Sequence, residues 1–325
     1  MAEKKSSLLA VLEVLKDETD EDHVLSRNDI LSRIESKRGL TMDRRTLYSC
    51  ISMLQEYGYD ISGFDENGKG YALTKRDFTP AEIIWLCNAV HASNFISAKA
   101  SERLVKKLLE TQSRHTRKEF SNTVYLPNQR KTENHALFDN IEQISAAIQA
   151  KQTITFTYLT YNIAKKLVEK RKEPYTVEPR YIVYAEGKGY VIVTDPKHPG
   201  QFIHYRLDRM KNVKVNESSA VTKLAKEQDP YDYAKNKLFM FAGENVSAVL
   251  RCRMSVLNQM IDLFGTEVSI AEEDNDSFRL CVTASEQGIV WLAQQYADAV
   301  EVISPQSVRE TVINNLQEAL ARYGK

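Results

Sequence analysis

The chain has 325 residues, 42% of them hydrophobic, and its 44 Lys and Arg balance its 44 Asp and Glu, so the formal net charge is zero. That length implies two or three domains, with enough apolar residues for real cores. No run approaches the ~18 apolar residues that span a bilayer, and Met1–Ser7 lacks the apolar stretch of a signal peptide, so a cytoplasmic protein without a membrane partner is expected. Four scattered cysteines (Cys50, Cys87, Cys252, Cys281) form no C-x-x-C pair, which argues against zinc and a disulfide framework and for buried reduced thiols.

The charge is unevenly spread. Residues 151–216 carry 13 Lys and Arg against six Asp and Glu, whereas residues 217–325 carry 10 against 16. A small segment that basic implies an anionic partner, or docking on the acidic C-terminal region of its own or a second chain.

In chain order, Leu8, Leu9, Leu12 and Leu15 recur at helical spacing. An acidic loop, Asp17 to Asp22, follows. Ser26 caps a second helix in a capping-box arrangement with Asp29, whose apolar face is Ile30, Leu31 and Ile34 and whose end is Gly39. A third helix has Asp43 or Thr41 as N-cap and Leu47, Ile51 and Leu54 as its buried stripe. Arg45, Ser49 and Ser52 fall on the opposite face, with Arg44 and Tyr48 on the flanks. Arginines reach guanine edges or phosphates, and hydroxyls reach phosphate oxygens, so Arg44, Arg45, Thr46, Tyr48 and Ser49 are candidate DNA contacts. Strands at Tyr59–Phe64 and Gly70–Thr74 around Asn67-Gly68 read as a hairpin. Three helices and a hairpin make a winged helix-turn-helix over residues 1–76, with Lys69, Lys75 and Arg76 giving the wing positive charge; Lys69 joins the candidate contacts.

Residues 77–137 read as a helical linker. Thr79-Pro80 opens one helix, Ser97 another with Leu104, Val105, Leu108 and Leu109, and Arg114 to Gln129 is polar and basic. Leu137, Ile141, Ile144 and Ile148 form a further helical face running into a domain over residues 138–216. There Gln152–Leu159 alternates, a Lys- and Arg-rich loop follows, and Val177 to Val215 reads as short strands at Tyr181–Tyr184, Tyr190–Thr194 and Phe202–Leu207, then Lys211–Val215. Tight turns and about five short strands imply an SH3-like or Sm-like barrel. In the Phe202–Leu207 run, Phe202, His204 and Arg206 point one way and Ile203, Tyr205 and Leu207 the other. Residues 217–245 read as a linker with a short helix near Tyr231–Phe239. Residues 246–325 show a β-α-β-β-α-β-α order, a ferredoxin-like pattern. The fold class is thus α+β.

The run Arg206-Leu207-Asp208-Arg209, the lead-in Val177-Glu178-Pro179-Arg180 and the triplet Tyr190-Val191-Ile192 resemble the WYL domain of bacterial transcriptional regulators, although the triplet keeps only the aromatic first and aliphatic third positions of Trp-Tyr-Leu. The resemblance extends to the order of helices, wing and barrel and to the C-terminal extension. It implies a DNA-binding transcriptional regulator with a double-stranded operator as partner and a nucleotide or short single-stranded nucleic acid as effector. The physical grounds for the effector site are that arginine forks bind phosphate and aromatic faces stack bases. Arg180, His204, Arg206 and Arg209, with Tyr158 or Tyr190 to stack, are the candidate ligand contacts; the competing reading pairs the arginines with Asp208, Glu178 or acids of the C-terminal segment. A homodimer on two half-sites is expected. The alternative function is a single-stranded nucleic-acid-binding protein that works through the barrel, with the N-terminal domain as an interaction module. No catalytic motif is present, and neither an enzyme, a cofactor nor a metal site is expected.

Overall fold

The computed structural model describes residues 2–120, 131–195, 197–223, 233, 237–241 and 243–324. The chain divides into two compact units, Met1–Glu133 and Asn134–Lys325.

The first unit begins with α1 (Ala2–Glu18), α2 (Arg27–Arg38) and α3 (Arg44–Glu56). The apolar run of α1 offers two stripes at helical period; the buried one is Val11, Val14 and Leu15, while Leu9 points outward at 65% exposure. Ser26 and Asp29 form the expected capping box, and Gly39 ends α2 at φ 62, where glycine avoids the Cβ clash of other residues. Asp43 rather than Thr41 caps α3, accepting from the Thr46 N–H at 2.7 Å. Leu47, Cys50, Ile51 and Leu54 then pack on Val11, Leu15, Ile30 and Ile34.

The hairpin after α3 is shorter than expected. β1 (Ile61–Ser62) and β2 (Ala72–Leu73) pair over two residues each, and a helical turn, α4 (Phe64–Asn67), lies between them. The Asn67-Gly68 pair ends this turn instead of making a two-residue hairpin loop. The Asn67 carboxamide accepts from the N–H groups of Lys69 and Gly70 at 2.8 and 2.9 Å and donates to Ser62 Oγ and the Gly70 carbonyl at 3.1 Å each. This local bonding competes with a ladder. A Cβ at Gly70 would lie 2.1 Å from the Leu25 carbonyl oxygen, so the Leu25–Tyr71 bridge requires glycine there.

The segment read as an acidic loop begins inside α1, which runs through Asp17 and Glu18. Glu18 is 1% exposed and is met by Arg33, by Lys37 at 2.6 Å and by Arg114 at 3.1 Å. Arg76, expected on the wing, donates instead to the carbonyls of Lys16, Thr19 and Thr111, tying the helix ends together. α5 (Pro80–Ala92) and α6 (Ala98–Leu109) start at the expected caps Thr79 and Ser97. Arg114–Phe120, read from sequence as linker, is a helix, α7. Its Phe120 packs with Ile83, Cys87 and Val105, and its Arg117 pairs with Asp17. The remainder of that expected linker, residues 121–129, lies outside the described residues.

In the second unit α8 (Leu137–Ala150) packs Leu137, Ile144 and Ala147 inward. β3 (Gln152–Tyr161), β4 (Leu167–Glu169), β5 (Tyr175–Ala185), β6 (Lys188–Asp195), β7 (His198–Arg206) and β8 (Met210–Ala220) form one antiparallel sheet, ordered β4-β3-β5-β6-β7 with β8 on β3. The basic loop thus contains a strand, β4, and β8 runs into the expected linker. In a flat sheet β3 and β7 would stand about 14 Å apart, three strand spacings. Here the rings of Tyr158 and Tyr205 are 5.0 Å apart and the Arg206 N–H donates to the Tyr158 hydroxyl at 3.3 Å. The sheet therefore curls until β7 returns over β3, enclosing Ile154, Phe156, Val191, Val193 and Leu207.

Leu238 to Met240 form a short 3-10 turn; the rest of the helix expected near Tyr231–Phe239 falls mainly outside the described residues. Beyond lie β9 (Asn245–Arg253), α9 (Leu257–Phe264), β10 (Ser269–Asp274), β11 (Ser277–Ser285), α10 (Glu286–Gln295), β12 (Val300–Ser304) and α11 (Gln306–Arg322). The antiparallel order is β10-β11-β9-β12. Leu250, Cys252, Phe278, Leu280 and Val302 share a core with Ile289, Leu292 and Val308. Cys50, Cys87 and Cys252 are buried as expected, but Cys281 is exposed, because its strand position alternates away from that core.

Replacing Glu18 with Ala leaves its three cations able to reach water, so the cost is below that of a stranded buried charge: about 1–3 kcal/mol. Urea unfolding followed by Trp85 fluorescence in a Trp291→Phe background is expected to show that loss; an unchanged midpoint would mean Glu18 carries no stability.

Candidate nucleic-acid interface

On the first unit, α3 exposes its N-terminal turn. Arg44, Arg45, Tyr48 and Ser49 are exposed, and Lys69 is exposed beyond α4. Thr46 is committed elsewhere: its backbone and hydroxyl both bond the Asp43 carboxylate, and with Arg45 nearby they hold that carboxyl below its ordinary range. Tyr48 is partly committed, since its hydroxyl accepts from Arg27 at 3.2 Å and its ring lies 6.3 Å from Tyr71. Arg44, Arg45, Ser49 and Lys69 are the side chains of this set left facing solvent.

On the curled sheet, the six candidate ligand residues do not converge. The Arg180 guanidinium donates to Glu178 at 2.7 Å, to Thr194 at 2.8 Å and to the Thr222 carbonyl at 2.8 Å, and is 11% exposed. Glu178 in turn accepts from Thr194 and from the Thr222 N–H and hydroxyl at 2.7, 2.9 and 2.6 Å. Burial raises the Glu178 pKa, but these hydrogen bonds and Arg180 outweigh it, and the carboxyl sits below its ordinary value. The network is closed, so Arg180 serves the fold.

His204 is also committed. One ring nitrogen, Nδ1, donates to the Met240 carbonyl at 2.8 Å, leaving Nε2 to accept from the Tyr233 hydroxyl at 2.7 Å. Burial lowers its pKa, keeping the ring neutral. Tyr190, 8% exposed, packs with Ile192 and Met240. At that exposure Tyr190, like His204 and Arg180, is held mainly by partners within the fold. Thr194, which holds Arg180, and Tyr190, which pairs with Arg206, are four residues apart on β6, about 13 Å.

Tyr158, Arg206 and Arg209 do come together at the end of β7. Arg206 forms a two-point bridge to Asp208, Nε to Oδ1 at 3.0 Å and Nη2 to Oδ2 at 2.7 Å. Arg209 lies over the Tyr161 ring at 5.8 Å, and its Nε is buried with no hydrogen-bond partner among the described residues. Beside them Phe156, Tyr158, Tyr175 and Tyr205 form an aromatic cluster with centroids 5.0–6.3 Å apart, and Arg171 sits 3.5 Å over Tyr175. Burial, then Tyr175, push the Tyr205 hydroxyl up to about 12, so it stays neutral. Sequence reasoning missed Tyr161, Arg171, Tyr175 and Tyr205; the signal available was the density of tyrosine and arginine around β3 and β4.

Among the described residues no cluster of three or more His, Cys, Asp or Glu could hold a metal ion, and no helix is long and apolar enough to cross a membrane. Residues 139–215 match the WYL domain family. Two solved structures are similar over 98% of this chain: proteasome accessory factor B/C (PafBC) of Arthrobacter aurescens, with 19% identity, 46% of its own length covered and a TM-score of 0.27, and a CRISPR Cas-related protein, with 12% identity, 85% covered and a TM-score of 0.37. The chain thus spans about half the length of the PafBC structure. No curated protein matches it.

The Glu178 network gives a pH dependence of known sign. Its folded pKa lies below the ordinary 4.5, so its contribution is complete above that value and is lost as pH falls through the folded one. Between pH 6 and 3 the thermal midpoint of wild type is expected to fall more steeply than that of Glu178→Gln; parallel curves would show that the carboxylate is not held by this network.

Proposed function

We propose that the chain is a DNA-binding transcriptional regulator whose WYL domain binds a nucleotide-like or short single-stranded nucleic-acid effector. The observation that carries the DNA-binding half is α3: Leu47, Cys50, Ile51 and Leu54 anchor it in the core while Arg44, Arg45 and Ser49 stand in solvent at its start. A helix so placed after α2 fits a recognition helix in the major groove. Residues 1–76 are read as a winged helix-turn-helix with a very short wing, 77–137 as a helical linker, 138–216 as the sensor and 217–245 as a second linker. Residues 246–325 are read as a ferredoxin-like extension, supported by the antiparallel order β10-β11-β9-β12.

The effector half rests on Arg209, Tyr161 and Tyr158, with Arg206 behind them. Phosphate binds a guanidinium that no carboxylate neutralises more readily than one already bridged. An effector alters DNA affinity only by preferring one of two states of the protein, and a homodimer on two half-sites provides such states. The alternative, a single-strand-binding protein, draws on the same aromatic cluster, and one titration separates the two. Arg44→Ala/Arg45→Ala is expected to weaken duplex DNA binding at least tenfold and to flatten the log–log salt dependence by about 1.8. Unchanged duplex binding would overturn the regulator reading in favour of the alternative.

A further inference from the structure

The hairpin joining β3 and β4 carries a feature that the effector site does not use. Leu159 to Tyr161 pair with Leu167 to Glu169. The loop between them is tightly bonded: the Asn162 N–H donates to the Lys166 carbonyl at 3.0 Å, the Lys165 N–H to the Asn162 carbonyl at 2.9 Å and the Lys166 N–H to the Asn162 side chain at 3.0 Å. This ordered turn holds Ile163 entirely in solvent, at 103% exposure, with Tyr161 at 49% and Val168 at 38% on the same hairpin. Lone exposed apolar residues are common, but here Tyr161 and Ile163 stand together at the end of the hairpin, with Val168 on its other face. Lys165 and Lys166 come directly after the apex, and Lys170, Arg171 and Lys172 follow.

From this we infer that the hairpin is a finger for single-stranded nucleic acid, with Ile163 wedged between bases and Lys165 and Lys166 on the adjoining phosphates. The inference rests on the effector reading and extends it along the strand. Apolar side chains presented among cations are used as wedges between base steps, and a tyrosine under an arginine, as Tyr161 lies under Arg209, is a stacking platform. Ile163 is two residues beyond Tyr161, where the strand passes into the turn. A base on Tyr161 therefore leaves the following bases at the apex. The cationic surround disfavours a second copy of the same hairpin as occupant and favours a polyanion.

The test compares thymidine monophosphate with an eight-nucleotide thymidine oligomer, titrated against the full chain by calorimetry and anisotropy. Ile163→Asp is expected to leave mononucleotide binding unchanged and to weaken the oligomer about fivefold or more. Lys165→Gln/Lys166→Gln is expected to lower the oligomer's salt slope by about 1.4. Wild-type affinity for the oligomer in Ile163→Asp overturns the finger. So does loss of duplex binding alone, or conversion of a dimer to a monomer in sedimentation, because either assigns the apex to another occupant. If wild type binds neither probe, the effector reading fails as well, which distinguishes the two failures.

Discussion

The turn Leu207–Arg209 fixes which cations of the curled sheet face outward. Leu207 is wholly buried and Asp208 is 5% exposed. The Asn134 side chain donates to the carbonyls of Asp208 and Met210 at 3.1 and 2.8 Å, and Asn140 donates to the Met210 carbonyl at 2.8 Å. With its backbone clamped, the turn sends Arg206 back onto Asp208 and Arg209 forward over Tyr161. One arginine is neutralised within two residues of itself; the other lies over an aromatic face and has no carboxylate partner among the described residues.

That division runs through the whole sheet. An excess of basic residues says nothing about which cations are free, since each buried carboxylate takes one up. Glu178 takes Arg180 and Asp208 takes Arg206. Burying these pairs costs desolvation that their hydrogen bonds offset, and an incoming phosphate would have to compete with each carboxylate. Arg171 and Arg209 stand outside these pairs, over the rings of Tyr175 and Tyr161.

Local chemistry was readable in the sequence and long-range cover was not. The Ser26, Thr79 and Ser97 caps and the stripe of α3 follow from spacing over a few residues, so they came out as expected. The strand alternation around Phe202–Leu207 placed His204 and Arg206 on one face, correctly, but could not show that Met240 and Tyr233, some 30 residues on, cover His204. The Asn67-Gly68 pair carries the same letters as a hairpin turn; the difference lies in a carboxamide that satisfies Lys69 and Gly70 and ends a helical turn. Glu18 read as part of an acidic loop because its partners, Arg33, Lys37 and Arg114, come from other helices. Tyr161 and Arg209 meet because β8 pairs with β3, Met210 opposite Tyr158, which no pattern within either strand encodes.

The most direct test of the central claim is the affinity of the full chain for a short single-stranded oligonucleotide in Arg209→Ala and Arg180→Ala. The account predicts a loss of about tenfold or more in Arg209→Ala, with its salt slope reduced by about 0.7, and little change in Arg180→Ala beyond reduced stability. Equal affinity in wild type and Arg209→Ala, or a greater loss in Arg180→Ala than in Arg209→Ala, would contradict it.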